Sequence, residues 1–124
     1  MAEANSSLDV EQAQALVEQK RRGLTGEGAD QRLELAQALS DLGRALERAD
    51  REGEAVGAAR EGVATLTPAF LADPRQFATP MRALVGQYVD LARRHGERPD
   101  ETILEAVAQA LGELTRAEDA EDDG

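Results

Sequence analysis

A chain of 124 residues, 41% of them hydrophobic, is the size of one domain with its own core, and its net charge of −11 sets it against phosphate backbones. Much of the apolar content is alanine, the aromatics are Phe70, Phe77 and Tyr88 alone, and tryptophan is absent, which excludes a deep aromatic-lined pocket. The absence of cysteine excludes disulfides, thiolate metal sites, iron–sulfur ligation and thiol nucleophiles together.

Residues 1–7 are small and polar and read as a flexible N-terminus. Ser6 or Ser7 caps the first predicted helix, Asp9 and Glu11 suit its positive end, and Ala13, Leu16, Val17 and Lys20 continue one face to about Arg22. Gly23-Leu24-Thr25-Gly26-Glu27-Gly28 follows as a glycine-spaced linker. It has neither a preceding strand nor the Lys-Ser/Thr ending of a phosphate loop, so it reads as a plain connection.

A second helix is predicted from Asp30, its cap, to about Ala49. Its leucines at 35, 39, 42 and 46 share a face, and Gly43 cuts a notch beside them. After a polar turn at Asp50-Arg51 a third helix carries Ala55, Val56, Ala59, Val63 and Leu66, with Gly57 and Gly62 suggesting close helix contact. Thr67-Pro68 ends or kinks it, since proline lacks a donor and disfavours helix in the residue before it. Ala69 to Phe77 is then a connector whose Phe70, Leu71 and Phe77 cap the core. Thr79-Pro80 reads as a cap with proline at the first helical position. The fourth helix carries Met81, Leu84, Val85, Tyr88, Leu91 and Ala92 and ends near His95-Gly96. Pro99 restarts the chain into a fifth with a stripe of Ile103, Leu104, Val107, Leu111 and Leu114.

The expected fold is all-α: about five antiparallel helices stacked as hairpins into an α-solenoid, with no β-sheet, in a single domain over 8–117. An acidic tail follows over 118–124, where Glu118, Asp119, Glu121, Asp122 and Asp123 concentrate the negative charge and predict disorder. Internal similarity supports a repeat. Leu39 maps to Leu84 at a spacing of 45, or Leu35, Leu39 and Leu42 map to Met81, Val85 and Tyr88 at 46, and Val56 and Ala59 map to Ile103 and Ala106 at 47. The drift leaves the register of the second unit open by a residue.

No constellation for catalysis emerges, and the expectation is a protein that is not an enzyme and takes no cofactor or metal. His95 stands alone at a helix end, where a positive group is favourable, with no second imidazole for a metal site. Ser6, Ser7 and Ser40 lack a neighbouring base, and Glu11/Glu18 and Glu52/Glu54 fall on faces polar throughout. Lys20, Arg21 and Arg22 suit a helix C-terminus. There is no basic start followed by an apolar run, and no span of the roughly 20 apolar residues a membrane helix needs. A soluble, cytoplasmic protein with neither a membrane nor a nucleic-acid partner is expected.

Over residues 30–72 the chain resembles the tetratricopeptide repeat family, particularly bacterial versions with lengthened linkers. Leu39, Leu42, Gly43, Leu46 and Ala55 stand where that family places its large, large, small, large and small packing residues, and Pro68 stands near the repeat end. Ala59 is smaller than the family's usual residue, Gly62 replaces its usual alanine, and the second hairpin matches by periodicity alone. The resemblance implies binding of a partner protein's peptide or helix in a concave groove. Carried across, that groove is lined by Gln37, Ser40, Arg44 and Glu47, with Arg82, Val89 and Arg93 as the second unit's equivalents. Ser40 and Arg44 replace the lysine and asparagine of the family's carboxylate-clamp variety, so that specific activity is not implied. The arginines suit an acidic segment. Two alternatives stand beside this reading: a small acidic chaperone or escort for a secreted or toxic client, and a self-association scaffold or homodimer built on unfinished repeat edges.

Overall fold

The computed structural model describes residues 2–24 and 28–122, with side chains described over 10–24 and 28–118. Five helices follow one another: α1 (Ala2–Gly23), α2 (Ala29–Arg48), α3 (Glu52–Ala72), α4 (Pro74–Arg94) and α5 (Glu101–Asp122), and there is no strand among the described residues. Each helix packs chiefly on its sequence neighbour through α4: α1 on α2, α2 on α3 and α3 on α4, the arrangement of a helical-hairpin solenoid. α5 rests lightly on α3 and α4.

The leucine face of α2 forms as its spacing requires. Leu35, Leu39, Leu42 and Leu46 are all buried, against an α3 face of Ala55, Val56, Ala59, Val63 and Leu66. Small residues let the backbones approach. A Cβ placed on Gly62 would lie 3.4 Å from the Ala36 carbonyl oxygen and 3.4 Å from Leu84 Cδ2. Gly57 plays no such part, because nothing lies within 4 Å of its missing Cβ. Among the described side chains of α1 the buried positions are Val10 and Val17, whereas Leu16 is 38% exposed at the edge of the face.

Two helix ends show the same chain reversal. After α2, Asp50 takes φ 61° and Arg51 N–H donates to the Leu46 carbonyl at 2.8 Å; after α4, Gly96 takes φ 77° and Glu97 N–H donates to the Ala92 carbonyl at 2.8 Å. Both are left-handed caps that satisfy carbonyls of the last turn.

Several expected boundaries move. The backbone of α1 is helical from Ala2 rather than from Ser6 or Ser7, and α5 continues through 118–122 where a disordered tail is expected. The side chains of Ser6, Ser7 and Asp9, those of the tail beyond Glu118, and linker residues 25–27 lie outside the described residues. α2 starts at Ala29 with Gly28 as its cap, so Asp30 sits in the first turn and interacts with the helix dipole instead of capping.

The largest shift concerns prolines. Pro68 lies inside α3 and Pro80 inside α4, and the expected connector is mostly helix. An interior proline costs about 3 kcal/mol. Beyond Pro68, however, Phe70 is 0% exposed and Ala69 is buried, and a fully buried aromatic contributes about 1.5–3 kcal/mol toward carrying the helix through. Thr67 Oγ1 donates to the Val63 carbonyl at 2.7 Å, and Arg32 Nη1 reaches the Thr65 carbonyl at 3.4 Å, beside the gap the proline leaves. The helix break falls instead at Asp73, where Pro74 takes the first helical position of α4. Phe70 and Phe77 are core residues as expected, while Leu71 is 45% exposed.

Candidate functional site

α2 lies between α1 and α4, and clefts open on both sides of its exposed stripe. Between α2 and α4 a shallow cleft of about 200 Å³ is lined by Gln37, Ser40, Asp41, Arg44, Pro80, Ala83 and Leu84. Between α1 and α2 a second, of about 240 Å³, is lined by Leu16, Lys20, Glu34, Gln37, Ala38 and Asp41. Gln37 and Asp41 belong to both, so the two form one trough across three helices.

The floor of the α2–α4 cleft is tied by a polar clamp. Ser40 Oγ donates to Gln87 Oε1 at 2.8 Å, and Gln87 Nε2 donates back to the Ser40 carbonyl at 2.9 Å. Ser40 is buried and Gln87 partly so, which reduces competition from water for both bonds. The notch at Gly43 makes room for this amide. A Cβ there would lie 3.0 Å from Gln87 Nε2 and 3.6 Å from the Ala55 carbonyl oxygen. One missing side chain thus admits both the α3 backbone and the α4 glutamine.

Farther along, Arg94 pairs with Glu47 across the helices and with Asp90 at 2.8 Å along its own. These carboxylates, Glu47 first, hold the Arg94 guanidinium above its ordinary pKa. Arg44 pairs with Asp41 at 3.0 Å and Lys20 with Glu34 at 3.8 Å. The trough rim therefore carries both signs of charge.

The groove positions divide into two groups. Gln37, Ser40 and Arg44 come together in the cleft, and Glu47 stands at its end in the ion pair with Arg94. Arg82, Val89 and Arg93 are not part of it. On α4 the wall is built by Pro80, Ala83 and Leu84, and the helical period puts 82, 89 and 93 on a stripe roughly opposite. Gln87 is the residue that sequence reasoning missed. Its signal was the polar side chain standing in the second unit near the position of Gly43, which fits a residue reaching into a notch better than one forming a notch.

Elsewhere, His95 caps α4, its imidazole 3.8 Å from Glu52 and 3.9 Å from Glu97. The basic end of α1 is used in pairing: Arg21 with Glu61 of α3, and Arg22 with Glu18 at 4.0 Å. Among the described residues no group of three His, Asp or Glu side chains is placed to hold a metal ion, and no helix is long and apolar enough to cross a membrane. The molecule is thus an all-helical hairpin stack with an open, mixed-charge trough. No family model, curated protein or solved structure matches the chain.

Proposed function

We propose that this protein is a binding module of the tetratricopeptide repeat type, not an enzyme, and that it holds a peptide or helix of a partner protein in the trough across α1, α2 and α4. The observation that carries this reading is the continuity of the two clefts through Gln37 and Asp41, with the half-exposed Leu16 at one end and the apolar wall of Pro80, Ala83 and Leu84 at the other. Apolar anchors flanked by rotatable charged pairs are what a short amphipathic segment needs: area to cover and polar groups to orient it. Gln37 and Arg44 are the orienting groups. Ser40 and Gln87 hold the floor rigid instead of contacting the ligand.

The test places a photo-crosslinking residue at Ala83 in the cleft and at Gly57, whose missing side chain points into open space, and irradiates each in extract of the native host. A discrete protein adduct from position 83 alone, lost on Arg44→Glu, is the expected result. An adduct between two copies of this chain would reassign the trough to self-assembly. Equal labelling at both positions would remove the binding reading.

A further inference from the structure

The attachment of α5 differs in kind from that of α2, α3 and α4, and it is looser than that of α1, which lies close along α2 while α5 touches α3 and α4 only lightly. α2 and α3 bury nine residues each and α4 seven, whereas among the described side chains α5 buries only Val107 and Leu114, as few as α1 with Val10 and Val17; Ile103, Leu104, Ala110 and Leu111 pack against the core but stay partly exposed. With less apolar area removed from water than in α2, α3 or α4, the hydrophobic contribution to docking is correspondingly smaller.

One residue compensates at the helix start. Asp100 N–H donates to the Tyr88 hydroxyl at 2.7 Å, linking the segment to α4. Its Oδ2 accepts from Arg60 Nη2 at 2.9 Å and Nε at 3.3 Å, linking it to α3. Its Oδ1 accepts from Thr102 N–H at 3.0 Å, and its carbonyl accepts from Leu104 N–H at 3.2 Å, which starts α5 itself. Tyr88 is 2% exposed and gives this joint a rigid anchor. The chain before it, from Gly96 to Asp100, has no regular structure and begins at a left-handed glycine, a natural pivot.

We propose that α5 is a releasable arm governed by the Asp100 joint: loosening that joint frees the whole helix from α3 and α4 while α2, α3 and α4 stay folded, and bares the strip that Val107 and Leu114 cover. None of the joint residues lines the trough, so the arm and the binding reading stand or fall separately.

The experiment is residue-resolved amide hydrogen exchange on the full chain and on its Asp100→Ala and Tyr88→Phe variants. The expected result in Asp100→Ala is a rise of about fivefold or more in exchange at 107–114, with α2 and α3 rates unchanged. Tyr88→Phe, which keeps the buried ring and removes only the hydroxyl that meets Asp100 and Arg60, moves the same amides in the same direction. Tyr88 is the only tyrosine and there is no tryptophan, so its emission reports the same event independently. Three results would overturn the proposal: wild-type rates throughout α5, an increase confined to its first turn, or equal acceleration of α5 and of α2 and α3.

Discussion

The α2–α3 hairpin and the α4–α5 pair share a two-helix pattern but are held by different forces. In the first, Gly62, Ala55, Ala59 and Ala36 allow backbone approach, and leucines fill the space on either side. In the second, the contact is sparse, and hydrogen bonds at Asp100, together with Tyr88 beneath them, hold the helices at one end. Close packing is cooperative along a whole helix, whereas a polar joint acts at a point. The same amphipathic spacing therefore produces a rigid core in one half and a lightly tethered helix in the other.

Core truncation tests that contrast most strongly. Leu39 is 1% exposed at the centre of the first hairpin, so Leu39→Ala is expected to cost about 2–5 kcal/mol in urea unfolding. Leu111 occupies a comparable place in the stripe of α5 but is only partly buried, and Leu111→Ala is expected to cost less than about 1 kcal/mol. Similar losses at both sites would erase the distinction between the halves.

The notch at Gly43 sharpens it. Leucine there meets the Gln87 amide and the α3 backbone together, so Gly43→Leu is expected to destabilise by about 1–3 kcal/mol from overpacking and from breaking the Ser40–Gln87 bonds. Gly57→Ala is the control on the same hairpin. With open space around it, alanine should stabilise α3 by about 1 kcal/mol through helix propensity alone. Thermal melts of both variants give opposite shifts if packing, not propensity, makes Gly43 necessary.

The features legible in the sequence are those set by local spacing and by single small residues. The leucine face of α2, the notch at Gly43, the turn at Asp50 and the stop at Gly96 all depend on neighbours within one or two turns. Pro68 and Pro80 misled because their local cost is outweighed by the complete burial of Phe70 and Phe77 within a turn of them, and how far burial carries a helix through a proline depends on tertiary contacts that spacing does not show. The α2 side of the trough was readable, since Gln37, Ser40 and Arg44 follow from a well-defined register. Its α4 side was not. Each residue of register error turns a helical face by about 100°, so an error of two residues carries the expected positions from Pro80 and Gln87 to Arg82 and Val89, on the opposite side of α4. Asp100 carried no motif at all, because its partners come from α3 and α4.

The caps that end α2 and α4 offer a smaller test. Asp50 holds a left-handed conformation that glycine occupies at Gly96. Asp50→Gly removes that strain and is expected to raise stability by about 0.5–1 kcal/mol. A loss on denaturant titration would mean that the Asp50 side chain contributes more than its backbone strain costs.

The subtlest expected effect is that of pH on the Asp100 joint. The Arg60 hydrogen bond, helped by the Thr102 and Ile103 amides, holds the Asp100 carboxyl below its ordinary value of 3.8. The folded joint favours the ionised form, so its contribution is complete above that ordinary value and is lost as pH falls through the lower folded one. Glu54 in the first turn of α3 is lowered in the same sense by Arg51, 2.8 Å away, but that pair joins the helix only to its own capping residue and links no two helices. An acid titration followed by the emission of Tyr88 should therefore show a transition below pH 4 that Asp100→Asn abolishes and Glu54→Gln leaves in place. Were Glu54→Gln to remove it instead, the acid response would belong to the start of α3, and the joint would owe its strength to the backbone bond with Tyr88 alone.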